Sequence, residues 1–169
     1  MKAYCKAMLL LLTALLIMSG CSSSLKKEQD EALTAVEEAF KTSPRESNNE
    51  NKDIKYCLPF GFEIVEETAN NIILKNGPKN YILFYNLQED AQSKVVLDAT
   101  LQHKEFEVAE QFQQENKLGY FLVNKISDEI NEVTVGIGGI KLTGEVKTKS
   151  LKSEAETMMT IVNSVVINK

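Results

Sequence analysis

The chain has 169 residues, with 24 acidic and 19 basic side chains and a formal net charge of −5. Nucleic acids and anionic bilayers attract clustered basic charge, so this balance argues against either as an electrostatic partner. Tryptophan is absent and aromatic residues make up 7% of the chain, which also argues against a carbohydrate or nucleic-acid site built on stacking.

The first element in chain order is a short apolar leader. Residues 1–6 carry two lysines and no acidic residue, residues 7–18 are almost entirely apolar, and the small residues Ser19 and Gly20 follow. Positive charge, a short apolar stretch and a small-residue exit are typical of a secretory signal peptide. A permanent membrane helix would need roughly 20 apolar residues, more than this stretch supplies.

The leader ends in Met18-Ser19-Gly20-Cys21, which resembles the lipobox of bacterial lipoproteins, with Met18 where Leu is usual. The resemblance implies cleavage between Gly20 and Cys21 and attachment of a diacylglyceryl group to the Cys21 thiol. Two or more acyl chains hold a protein stably on a membrane. We therefore expect a lipid-anchored protein on the extracytoplasmic face of the cell membrane; the alternative is a secreted protein in which Cys21 is incidental.

Cys57 is the one cysteine that leader and anchor leave unassigned, since Cys5 belongs to the leader. It has no intramolecular disulfide partner in a chain that begins at Cys21. We predict that Cys57 is buried as a small apolar residue. A redox or intermolecular thiol is the alternative.

Residues 25–53 are predicted to form a helix followed by a linker. Leu33, Val36 and Phe40 share one face of a helix over Leu25–Lys41. That helix could pack on the domain, pair with a partner helix, or form a polar stalk. Residues 42–53 contain no large apolar side chain and are predicted to be a flexible linker.

These segments give a predicted organisation in three parts. Residues 1–20 are the signal peptide, residues 21–53 are the lipid anchor, helix and linker, and residues 54–169 are the globular domain. Removing residues 1–20 takes away two lysines and no acid, which leaves a formal net charge of −7.

The globular part begins with predicted strands joined by tight turns. The first three are Phe62–Glu67, Ile72–Lys75 and Tyr81–Leu87, and Asn-Gly in residues 76–79 predicts a hairpin between the last two. Residues 94–114 fit both alternating strand and helical spacing, and we favour strands there.

Two further strands are predicted at Gly119–Ile126 and Glu132–Val146. Gly138 and Gly139 interrupt the second strand and predict a bulge or bend. They are also a candidate contact for the backbone of a ligand or partner.

The chain closes with a predicted helix. Ser153 and Glu156 match a capping box, in which Ser153 is the N-cap. The apolar face of the helix contains Ala155, Met158, Met159 and Val162. A helix that follows antiparallel strands covers one face of their sheet, so the predicted class is α+β, with an antiparallel β-sheet, a C-terminal covering helix, and a preceding N-terminal helix and linker. The tail Ile161-Val162-Asn163-Ser164-Val165 is similar to small bacterial lipoproteins with a PsbP-like domain, which implies the same fold class.

No catalytic or metal-binding motif stands out. His103 is the single histidine, in a polar stretch, and no Cys/His cluster suggests zinc. Glu89, Asp90 and Asp98 lack the spacing of a calcium loop. We therefore expect no catalytic residue, metal or cofactor. The function we expect is a non-enzymatic interaction or accessory module with an envelope protein as partner; a small-ligand binding lipoprotein is the alternative, and an enzyme ranks third.

Overall fold

The computed structural model describes residues 20–168, with side chains from residue 25 onward. Three α-helices and a 3-10 turn lie in this range: α1 (Gly20–Lys41), α2 (Val95–Leu101), the turn Thr148–Ser150, and α3 (Leu151–Asn163). The strands are β1 (Asn49–Glu50), β2 (Ile54–Tyr56), β3 (Phe62–Glu67), β4 (Asn71–Asn76), β5 (Lys79–Tyr85), β6 (Val108–Gln114), β7 (Lys117–Lys125), β8 (Ile130–Ile137), β9 (Ile140–Lys147) and β10 (Val166–Ile167).

Seven of these strands form one antiparallel sheet in the order β3-β4-β5-β9-β8-β7-β6. A second, three-stranded sheet has the order β1-β2-β10. α1 precedes the sheets and α3 follows the last long strand, so the predicted α+β class with a covering C-terminal helix is confirmed. The predicted strand Phe62–Glu67 and the hairpin around Gly77, whose φ is +59°, are also confirmed.

The main core lies between one face of the seven-stranded sheet, here called the inner face, and helices α1 and α3. Strands β4, β5, β7, β8 and β9 contribute alternating buried side chains to it. The predicted apolar face of α3 is buried there, including Met158 and Met159, both fully inaccessible. α1 contributes Ala32, Val36 and Phe40 to the same core.

Because α1 shares this core, the boundary predicted between residues 53 and 54 does not separate two packed units. The side-chain amide of Asn163, at the end of α3, donates to the carbonyl oxygens of Ala39 at 3.1 Å and Thr42 at 2.8 Å. Of the three arrangements left open for the first helix, packing on the domain is the one adopted.

The flexibility predicted for residues 42–53 stays a prediction, but the segment makes specific local contacts. β1 lies within it and pairs with β2. The Asn48 side chain accepts from the Leu58 N–H at 2.8 Å and donates to the Leu58 carbonyl at 2.9 Å. Asn51 Oδ1 accepts from the Ile54 N–H at 2.9 Å. Asparagine side chains replace apolar burial as the source of local order.

The preference for strands throughout residues 94–114 is half wrong. Val95–Leu101 is helix α2, and strand begins again only at Val108. Leu97 packs against Tyr120 and Leu122 on the face of β7 that points away from the main core. We call that side of the sheet the outer face. α2 covers the β7 end of it, since β7 is apolar on both sides.

The predicted long strand Glu132–Val146 is instead the hairpin of β8 and β9, with Gly138 and Gly139 as its two-residue turn. Gly138 has φ +53°, a value that favours glycine. The glycine pair therefore reverses the chain and is not a bulge.

The predicted capping box is wrong, because α3 begins at Leu151 and places Ser153 inside its first turn. The fully buried Leu151 side chain belongs to the core, which explains the earlier start. Cys57 is half-buried, and not fully buried as predicted. From residue 20 to 168, no helix is long and apolar enough to cross a membrane.

Candidate functional site

Of the residues assigned to the lipobox, Met18 and Ser19 lie outside the described residues. Gly20 and Cys21 fall in the first turn of α1, where the helical backbone is described without side chains. The lipidation of Cys21 stays a prediction.

Gly138 and Gly139 are approached closely, but by the chain's own backbone. The Gly139 N–H donates to the Asp90 carbonyl at 3.2 Å, and the Gly139 carbonyl accepts from the Asn86 N–H at 2.9 Å. A Cβ added at Gly138 would lie 2.1 Å from the Asp90 carbonyl oxygen. The loop before α2 thus accounts for the need for glycine, and an external contact at this turn stays a prediction.

A shallow cavity of about 340 Å³ adjoins this turn. Gly139, Val165 and Ile167 line it, together with Lys117, whose Nζ donates to Asn163 Oδ1 at 3.1 Å. Most of the other lining residues are apolar, so the cavity offers mainly apolar walls.

The acidic residues before α2 stabilise local turns. Asp90 Oδ1 accepts from the Gln92 N–H at 2.9 Å, and Glu89 accepts a hydrogen bond from the Ser93 hydroxyl. Within residues 20–168, no group of three or more His, Cys, Asp or Glu side chains is placed to hold a metal ion.

A second cavity, of about 370 Å³, lies on the outer face of the sheet beside the end of α2. We call it the outer groove. Its floor is formed by side chains of β5, β8 and β9: Ile82, Phe84, Thr134, Lys141 and Thr143. Its walls are formed by Asn71, Thr100, His103, Lys104 and Glu132. His103 is solvent-exposed, as predicted, but it stands at the rim of this groove.

Strand register explains why the floor residues meet. Ile82 is directly opposite Thr143, Thr143 is opposite Thr134, and Phe84 is opposite Lys141. Cross-strand partners place their side chains on the same face. The groove therefore unites residues that are far apart in the sequence.

Lys141 is the central polar group of the outer groove. Its Nζ donates to Thr100 Oγ1 at 2.9 Å and lies 5.8 Å from the centre of the Phe84 ring. Burial lowers the pKa of Lys141, and the positive charge of Lys104 lowers it further, whereas Glu132 acts in the opposite direction. The Glu132 carboxylate forms an ion pair with Lys104.

Another exposed feature runs along β3, at one end of the seven-stranded sheet. Phe60 is fully exposed just before the strand, and Ile64 and Val65 are 40% and 57% exposed. The acidic side chains Glu63 and Glu66 are exposed beside them. We call residues 60–66 the acidic edge. Pairing with β4 shifts register between Ile64 and Glu66, which marks a bulge at Val65.

Comparison with known proteins leaves the function open. No protein-family model matches the chain, and no curated protein sequence is significantly similar to it. The structure is similar to the solution structure of cyanobacterial PsbP (CyanoP) from Synechocystis sp. PCC 6803, with a TM-score of 0.44 and 15% sequence identity, covering 75% of this chain and 94% of that chain. The sequence resemblance in residues 161–165 is to the same family. A structural likeness with this TM-score and identity carries no argument about function.

Proposed function

We propose that the chain is a non-enzymatic interaction module, anchored by acylated Cys21 to the extracytoplasmic face of the cell membrane, that binds an envelope protein through the acidic edge. The observation that supports it is the exposure of Phe60, Ile64 and Val65 along one sheet edge. Contiguous exposed apolar side chains rimmed by polar residues are typical of protein-binding surfaces.

The position of β3 adds a second reason. Pairing to β4 occupies one side of the strand, so backbone groups on its other side are available to a partner segment. An added strand gains affinity from main-chain hydrogen bonds and specificity from side chains. The bulge at Val65 interrupts the edge, which restricts the partner to a short segment.

The charge at the edge indicates the chemistry of that partner. Glu63 and Glu66 flank the exposed apolar residues, and two copies of this edge would bring like charges together. The partner we propose is therefore a short extended segment with basic side chains, in another envelope protein.

Photo-crosslinking in intact cells tests this proposal. Replacing Phe60 with p-benzoylphenylalanine keeps an aromatic group at the edge and should give one dominant crosslinked protein. The same group at Glu156, exposed on α3, is the control and should give no such product. Val65→Lys removes an apolar side chain and opposes a basic partner, so adding it to the Phe60 derivative should abolish the product without changing the melting temperature. Equal crosslinking from both positions would contradict the proposal.

The anchor is tested separately by metabolic labelling with an alkyne fatty acid. The Cys21→Ala variant should lose the label and the detergent-phase partitioning that acylation gives. Cys57→Ala is the matched control, because it removes the other cysteine outside the leader and should keep the label. Full labelling of Cys21→Ala would refute the anchor.

The outer groove favours a second function, the binding of a small ligand by the anchored protein. Ligand sites commonly combine apolar walls with a few placed polar groups in cavities of about 300–1,000 Å³. At about 370 Å³, the outer groove lies at the small end of that range. Ligand binding there would not compete with the acidic edge, which is formed by other residues.

A further inference from the structure

We propose that the outer groove binds a small organic anion with a flat apolar body, the anionic group on Lys141 and the body on Ile82 and Phe84. This inference rests on the small-ligand function and is independent of the acidic edge.

The sign of the ligand charge follows from how the charged side chains are paired. Lys104 and Glu132 form an ion pair with each other. Within residues 25–168, the hydrogen bond of Lys141 goes to the neutral Thr100 hydroxyl, and no carboxylate forms an ion pair with it. An ammonium has three protons to donate, so Lys141 keeps donors for an anion. The groove is lined by two ammonium groups, Lys104 and Lys141, and by one carboxylate, Glu132, so a cationic ligand would meet a net positive charge there.

The floor of the groove supplies another donor. The hydroxyl oxygens of Thr134 and Thr143 lie 2.8 Å apart, so one hydroxyl donates to the other. Only one of the two hydroxyl protons is used in that bond, and the second can be donated to a ligand oxygen. Thr143 is the more exposed of the two and is adjacent to Ile82 across the strand pair.

The remaining floor of the groove is apolar. Ile82 is 49% exposed, and Ile73 lies directly opposite it on β4. Phe84 presents its ring beside Lys141. Side chains on one face of adjacent strands, about 4.8 Å apart, form an open floor on which the Phe84 ring offers a planar face. A planar apolar body fits this surface better than a bulky one.

A pair of dyes separates the anionic group from the apolar body. 8-Anilinonaphthalene-1-sulfonate carries the charge, and N-phenyl-1-naphthylamine has the same aromatic body without it. Fluorescence titration should show tighter binding of the sulfonate. Lys141→Met keeps the apolar stem and removes the charge, and should weaken sulfonate binding about tenfold, with little effect on the neutral dye.

Two further variants make the assignment specific. Lys75→Met removes an exposed lysine of β4 outside the groove and should leave both affinities unchanged. Thr143→Val keeps the side-chain shape, removes the hydroxyl donor and should weaken sulfonate binding about threefold, so the test survives if Lys141→Met does not fold. A near-UV circular dichroism spectrum equal to that of the parent chain would show that a variant keeps its tertiary packing, and would exclude dye binding to a loosened protein.

The proposal fails if the sulfonate does not bind, if the two dyes bind equally, or if Lys141→Met and Thr143→Val both bind the sulfonate like the parent chain. Laurate carries a flexible acyl chain, and 2-naphthoate carries a flat ring system. If laurate displaces the sulfonate dye more effectively than 2-naphthoate does, the flat apolar body in the proposal is overturned and an acyl chain takes its place. Val65→Lys should not alter dye binding, so failure of the groove and failure of the acidic edge are distinguishable.

Discussion

Replacing Phe40 with alanine tests whether α1 belongs to the folded core or is a stalk joined to it. Phe40 is 2% exposed and is the last buried side chain of the helix. Its ring centre lies 4.9 Å from that of Phe112, at an interplanar angle of 62°. A residue in a stalk would be exposed and would not contact Phe112, so the two arrangements predict opposite outcomes for Phe40→Ala.

The expected loss follows from this packing. Phe-to-Ala replacements in protein cores cost about 3–5 kcal/mol, including the cavity left behind. A Cβ added at Gly119 would lie 2.9 Å from the Phe40 ring, so glycine is already needed for the ring to fit. We expect a loss of about 4 kcal/mol, a large share of the ~5–15 kcal/mol that stabilises a typical domain.

Urea unfolding of the soluble chain from residue 25 onward, followed by circular dichroism, measures the effect. With a slope of about 2 kcal/mol per molar, the midpoint should fall by roughly 2 M. Glu38→Ala, on the exposed side of the same helix, is the control and should change stability by less than about 0.5 kcal/mol. An unchanged midpoint for Phe40→Ala, or a stable fold for residues 54–169 alone, would refute a core role for α1.

Three more substitutions test other parts of the fold. Gly138→Ala should lower stability by about 1–3 kcal/mol, because its Cβ would collide with the Asp90 carbonyl; a normal urea midpoint would mean that this loop yields freely. Met159→Asp should cost several kcal/mol by burying an unpaired carboxylate, and a wild-type melting temperature would mean that α3 faces solvent. Burial raises the pKa of Tyr81, and its hydrogen bond to the Glu154 carboxylate raises it further. Glu154→Gln should therefore lower that pKa in an NMR titration of the ring, and an unshifted titration would exclude the contact in solution.

Elements with a strong local signal could be predicted from the sequence. Alternation fixes β3 within residues 62–67, and Asn76-Gly77 supplies the positive φ that the hairpin of β4 and β5 needs. The apolar face of α3 follows from helical spacing, and only its first turn was misplaced. In each case the deciding interactions join residues close together in the chain.

The errors arise where distant residues decide. Val95–Leu101 alternates like a strand, yet it forms a helix because the outer side of β7 needs a cover. The continuous apolar run in residues 118–123 was the available signal, since a strand buried on both faces requires two covers. The 15-residue strand predicted across Gly138 exceeded the usual strand length, which already favoured a hairpin.

The outer groove could hardly be predicted from the sequence. Phe84 and Lys141 meet through strand register, and Thr100 reaches them from a helix whose presence was not predicted. The one hint was β5, where Ile82 and Phe84 are apolar although their neighbours already fill the core. A strand with apolar side chains on both faces shows that its outer face has some role, but not which residues join it there.

The continuity of α1 has a mechanical consequence for an anchored protein. The helix runs unbroken from Gly20, and Ala32 is the first fully buried residue among its side chains described from residue 25 onward. Ala32 lies eleven positions after Cys21, which corresponds to a rise of about 16 Å along the helix axis. With a lipid on Cys21, this segment would act as a stiff spacer that sets both the height of the domain and the direction in which it faces. Each residue turns a helix by about 100°, so inserting one residue near position 28 would rotate the domain by about that angle relative to the anchor. Inserting seven residues would nearly restore the original orientation and raise the domain by about 10 Å.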